Sequence, residues 1–119
     1  MHFLTRIILI ILVSAPTVAL AESEATGKQL YNTYCTQCHG IYGDGWGVNT
    51  RDIEVLPRDH TDSGEMSARS DQELFKAIKH GGQAVNKSIL MPNWDATMSD
   101  AEIERVVRYL RELCNCDAP

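Results

Sequence analysis

The feature that most constrains this chain is Cys35-Thr36-Gln37-Cys38-His39, two thiols three residues apart with an imidazole directly after. Residues three apart on a helix share a face. The two sulfurs can therefore reach along one edge of a flat ligand while His39 projects toward its centre. That arrangement reads as C-x-x-C-H attachment of one c-type haem, with Cys35 and Cys38 as the covalent anchors and His39 as proximal iron ligand. Two other chemistries use a C-x-x-C pair. A thioredoxin-like pair follows a strand in a βαβ unit, and no such context precedes Cys35. A zinc ribbon needs a second matching pair, and Cys114-Asn115-Cys116 has the wrong spacing.

Covalent haem attachment requires export, and the N-terminus carries an export signal. Arg6 precedes an unbroken apolar run over residues 7–13, and Ala19-Leu20-Ala21 offers small residues at the two positions a signal peptidase reads. The expected organisation is a signal peptide over residues 1–21, removed after Ala21, and one monohaem domain over residues 22–119. The apolar run is too short to span a bilayer by itself, although residues 14–21 extend it weakly. No stable membrane insertion is expected once it is cleaved; an uncleaved anchor is the alternative. Losing Arg6 leaves 10 basic against 16 acidic residues, a net charge of −6. That balance argues against nucleic acid and anionic lipid as partners and suits docking to a basic patch on a redox protein. A domain of this size has a limited apolar core, which a permanently attached haem would complete.

Three helical segments are expected. The first covers about residues 26–39 and places Leu30, Tyr34 and Cys38 on one face. Gly40 stops it, and the glycines at 40, 43, 45 and 47 suggest a tight wrap against a flat ring. Residues 49–69 read as irregular and polar. Ser70 opens the second helix with Glu73 as its capping-box partner, Leu74, Phe75 and Ile78 give it an apolar face, and Gly81-Gly82 ends it. Ser99 and Glu102 open the third, whose stripe is Ile103, Val106, Val107, Leu110 and Leu113. Arg105, Arg108 and Arg111 fall on another face and read as solvated.

Iron held by His39 has a second axial position. A methionine there raises the potential of a low-spin carrier, and an open position permits gas binding or peroxide chemistry. The candidates are Met66, Met91, Met98, His60 and His80. Position favours Met91, in a loop stiffened by Pro92. Met98 reads as a packing residue, Met66 as surface or rim, His80 as a helix cap, and His60, between Asp59 and Asp62, as part of a solvated turn.

These residues resemble the class I, or monohaem, bacterial cytochromes c. The resemblance lies in Cys35-Thr36-Gln37-Cys38-His39-Gly40, in Gly27 and Tyr31, in Leu90-Met91-Pro92-Asn93-Trp94, and in Ser99-Asp100-Ala101-Glu102-Ile103 with Val106, Val107, Tyr109 and Leu110. It implies an all-α cytochrome c fold of about three main helices wrapped around one haem. The N- and C-terminal helices would cross where Gly27 permits close approach and Tyr109 packs. It also implies Met91 as distal ligand and a loop carbonyl, with Pro57 as candidate, accepting a hydrogen bond from the outer nitrogen of His39.

Two stretches depart from the plain pattern. Residues 57–64 are more elaborate than a haem wrap requires. Cys114 and Cys116 are open to a C-x-C disulfide, an intermolecular link or soft-metal binding. The expected function is periplasmic single-electron transfer between redox protein partners, with no catalytic residue. The alternatives are a haem subunit of a larger periplasmic oxidoreductase, or a haem sensor or peroxidase with an open distal site.

Overall fold

The computed structural model describes residues 24–119. The expected signal peptide, residues 1–21, lies outside them. Among the described residues there are five α-helices and no strands: α1 (Gly27–Tyr34), α2 (Thr36–His39), α3 (Ser63–Ser67), α4 (Asp71–His80) and α5 (Asp100–Cys114). Short 3-10 turns cover Val48–Thr50 and Gly82–Val85. None of the described helices is long and apolar enough to cross a membrane.

The local signals for helix starts act as written in the sequence. Ser70 Oγ accepts from Glu73 N while Glu73 returns a carboxylate to Ser70 N at 2.8 Å. Ser99 and Glu102 repeat the arrangement at α5, and Thr26 with Gln29 does so at α1. Each box satisfies backbone donors that a helix start leaves unpaired. The expected first helix is divided at Cys35. Thr36 Oγ1 donates to the Asn32 carbonyl at 2.9 Å, and such back-bonding bends a helix. The turn that follows carries Cys38 and His39.

The core forms where α1 crosses α5. Ile103, Val106, Val107, Leu110 and Cys114 are buried on α5 and meet Leu30 and Tyr31 of α1, with Leu74 and Ile78 of α4 alongside. Leu113, expected in the stripe, is only partly buried, and Cys114 takes the buried position. The crossing depends on Gly27. A Cβ there would lie 2.0 Å from the Arg105 carbonyl oxygen and 3.0 Å from Tyr109 Cβ.

Residues 49–69 are more ordered than their polarity suggests. Met66, expected at the surface, is fully buried on α3. The apparently solvated face of α5 also changes character. Arg111 donates from Nε to Asp71 at 2.8 Å and from its terminal nitrogens to the carbonyls of Met66 and Arg69. The guanidinium fork thus stitches α3 and the start of α4 onto α5. Arg105 pairs with Glu24 at 2.8 Å, and Arg108 is exposed. Cys114 and Cys116 form an intrachain disulfide just beyond α5, where Asn115 adopts a left-handed conformation with φ 48°.

Replacing Gly27 by alanine forces α1 and α5 apart, so thermal unfolding of Gly27→Ala should show a loss of about 1–3 kcal/mol. Gly64→Ala is the control. Its Cβ meets nothing closer than 3.4 Å, and a helical alanine there should leave stability unchanged or raise it by about 0.4–1 kcal/mol.

Candidate haem-binding site

A cavity of about 390 Å³ lies between α2, α4, α5 and the two long loops. Cys35, Cys38 and His39 line it from the α1–α2 segment, Leu74 and Ile78 from α4, and Val106 and Leu110 from α5. Pro57 lines it from the segment before α3, and Met91 from the loop before α5. The structure therefore brings Cys35, Cys38, His39, Pro57 and Met91 to one space. Met66 and Met98 are buried in the core and do not line it, and His80 is exposed at the end of α4.

The lining suits a large apolar ligand. Val55, Leu56 and Leu90 face the cavity yet remain 66%, 43% and 60% exposed. Apolar side chains left open around a concave space mark a binding site. Arg58, Arg69 and Lys87 bring positive charge to the lining and Glu73 negative charge, and Arg58 is paired with Glu65.

Cys35 lacks the setting that favours thiolate in a redox pair. Burial, with the neighbouring Cys38 sulfur second, pushes the Cys35 thiol up to about 12. A disulfide-exchange C-x-x-C does the reverse and lowers a thiol to favour thiolate. Among the described residues, no group of three or more His, Cys, Asp or Glu side chains is placed to hold a metal ion directly. Cys114 and Cys116 are bonded to each other.

His39 has the arrangement a metal-binding imidazole needs. Its Nδ1 lies 3.1 Å from the Arg58 carbonyl oxygen. Donation there leaves Nε2 as the ring's free acceptor and makes it more basic. Burial favours the neutral ring, opposed by that hydrogen bond and reinforced by the Arg58 charge. The acceptor corrects the expectation placed on Pro57. The Pro57 carbonyl instead meets Gly45, where a Cβ would lie 2.7 Å from it. The glycine loop closes on the chain's own backbone rather than on the cavity: Gly45 N donates to the His39 carbonyl at 2.9 Å and Gly47 N to that of Cys38 at 3.0 Å.

Met91 is held by its backbone. Its carbonyl accepts from Gly82 N at 3.1 Å, and its N–H donates to Ser88 O at 3.3 Å. The side chain is half-buried against the core. Two turns after α4 thus fix the segment that presents the thioether.

His60, like Met66, does not lie where its flanking sequence suggests. It is buried, 8% exposed. Its ring stacks on His39 at 4.2 Å between centroids and 17° from parallel, so it sits beside the expected proximal ligand. Burial first, then the proximity of His39 and Arg58, holds it well below the usual histidine range. The signal that misled was the flanking acids. Asp59 is spent on a local turn, accepting from Thr61 N at 2.7 Å, while His60 N donates to Gly43 O and turns the ring inward.

A family model described as cytochrome C oxidase, cbb3-type, subunit III, matches residues 22–110. Among curated proteins, the chain is 29% identical over 98 residues to quinohemoprotein alcohol dehydrogenase ADH IIB of Pseudomonas putida, covering 82% of this chain. It spans only 12% of that relative's length. Among solved structures, it is similar to the KustC0563 c-type cytochrome, with a TM-score of 0.60 and 21% identity, covering 75% of this chain and 98% of that one. It is also similar to a chain of the Kuenenia stuttgartiensis reducing HAO-like protein complex Kustc0457/Kustc0458, with a TM-score of 0.59 and 29% identity over 77% of this chain and 43% of that one.

Gly45→Ala would drive a Cβ into the Pro57 carbonyl from a residue at φ 83°, straining the strap that supports His39. A loss of about 1–3 kcal/mol is expected in thermal unfolding of the haem-loaded protein.

Proposed function

This chain belongs to the cytochrome c family whose model is described as cytochrome C oxidase, cbb3-type, subunit III, and from that premise we propose that it is an exported single-electron carrier with one haem. An all-α cytochrome c fold and an electron-transfer role follow from the family. The residue assignments and the place of action go beyond the family and are proposed. Cys35 and Cys38 anchor the haem covalently, and His39 and Met91 are its axial ligands. The observation that carries the assignment is the single cavity lined by all four residues.

Bound haem supplies a one-electron couple between ferrous and ferric iron. The chain's own residues tune and protect it. The Arg58 carbonyl orients His39. Leu74, Ile78, Val106 and Leu110 keep water from that side of the cavity. Arg69 and Lys87 line the cavity and would offset the carboxylates of a tetrapyrrole, whereas Arg58 is paired with Glu65. A methionine thioether on the second axial position favours the reduced state and leaves no open site for exogenous ligands.

The place of action is the periplasm, reached through residues 1–21. Ile41, Tyr42, Trp46 and Val48, in the loop directly after His39, are between 68% and 78% exposed. On a chain of net negative charge, that apolar loop suits docking of a basic redox protein. A second reading is a haem subunit of a larger oxidoreductase. It is supported by the relatives in which similar segments are a fraction of a longer chain. Recovery of the native protein in a large stable complex, rather than as a free small chain, would favour it.

The test compares oxidised and reduced spectra of the exported protein with those of Met91→Ala. The wild type should show low-spin c-type bands with the weak red sulfur-to-iron band. The variant should lose that band, bind carbon monoxide without denaturant and have a lower reduction potential. A wild type already high-spin, or a variant spectrum identical to it, removes Met91 from the iron and turns the reading toward sensing or peroxide chemistry.

A further inference from the structure

We infer that His60, hydrogen-bonded to Tyr31 and stacked flat on His39, is a positioning residue that sets the orientation of the proximal imidazole. The inference rests on His39 being the axial ligand proposed above.

One hydrogen bond does not fix a ring. The bond from His39 Nδ1 to Arg58 O restrains one edge, but the imidazole plane can still rock about that edge. His60 supplies the missing restraint by lying parallel to it at 4.2 Å. His60 is itself held at two points. Its backbone N–H donates to the Gly43 carbonyl, and its Nδ1 lies 3.1 Å from the Tyr31 hydroxyl. Among the described residues the Tyr31 hydroxyl has no second hydrogen-bond partner, and Tyr31 is 1% exposed. A buried hydroxyl without another acceptor must donate here. Nδ1 of His60 is therefore the acceptor and the ring proton is on Nε2.

Tyr31 is in turn fixed by the helix crossing. Tyr109 of α5 packs edge-on against it at 5.3 Å. A chain of contacts thus runs from α5 through Tyr109, Tyr31 and His60 to His39. Second-layer contacts of this kind orient a ligating histidine and tune the metal it holds. Neither Tyr31 nor His60 needs to touch iron to act.

The test is a double-mutant cycle on the haem-loaded protein using Tyr31→Phe, His60→Phe and the double variant. Each substitution keeps a flat ring in place and removes one side of the hydrogen bond. The readouts are the reduction potential and the paramagnetic proton shifts of the ferric haem methyls, which report the plane of the axial imidazole. Both single variants should shift these readouts in the same direction. The double variant should shift no further than His60→Phe, because either change alone breaks the bond. Unchanged readouts in the single variants, or shifts that add in the double variant, overturn the proposal even where melting temperatures fall. A wild type lacking low-spin c-type bands is a different result: it removes His39 as the axial ligand and the inference with it.

Discussion

The approach of α1 to α5 at Gly27 is the contact on which the other features depend. A glycine facing the Arg105 carbonyl lets the two backbones meet. That closeness buries Leu30 and Tyr31 against Val106, Val107 and Leu110. It also aims the distorted end of α1, and hence Cys35, Cys38 and His39, toward the space between α4 and the loops. What remains between the helices is an apolar hollow that the side chains do not fill. Native interiors are close-packed, so a fold that keeps such a hollow open, edged by two thiols and an imidazole, is built to enclose something. The cofactor takes the place of core that a chain this short does not supply.

The same economy appears in the polar contacts. Much of the long segment before α4 has few apolar residues and is tied down by a few strong donors. Arg111 reaches two carbonyls and a carboxylate. Ser63 Oγ donates to the Cys114 carbonyl at 2.6 Å. These bonds hold α3 against the end of α5 and bring Arg58, whose carbonyl meets His39, into register. The ion pairs at the surface, such as Lys79 with Asp100 at 2.7 Å, add little by comparison, since exposed pairs contribute about 0–1 kcal/mol.

Much of this was legible in the sequence, and the reasons are local. Helix starts were readable because Ser70 with Glu73 and Ser99 with Glu102 satisfy backbone donors within one turn, without reference to the rest of the chain. The segment Cys35–His39 was readable as a site because its chemistry is compressed into five residues, and the structure does bring its thiols and imidazole to one cavity. Met66, His60 and Arg111 were not readable, because their burial is set by partners far along the chain. Nothing near Met66 reports that α5 will cover it, and nothing near His60 reports that Tyr31 will accept its company. The acceptor for His39 fell one residue beyond the expected Pro57, because Gly45 packs against the proline's own carbonyl. Spacing rules find elements and motifs; they do not resolve which of two adjacent carbonyls faces inward.

The Cys35–His39 motif and the cavity it lines point to a haem bound covalently through Cys35 and Cys38. The most direct measurement is the intact mass of the exported protein under denaturing conditions, beside a variant with both cysteines replaced by alanine. The expected result is the mass of residues 22–119 plus one haem for the wild type, with no retained haem in the variant. A wild-type polypeptide mass without haem, or haem retained after both cysteines are removed, would contradict it.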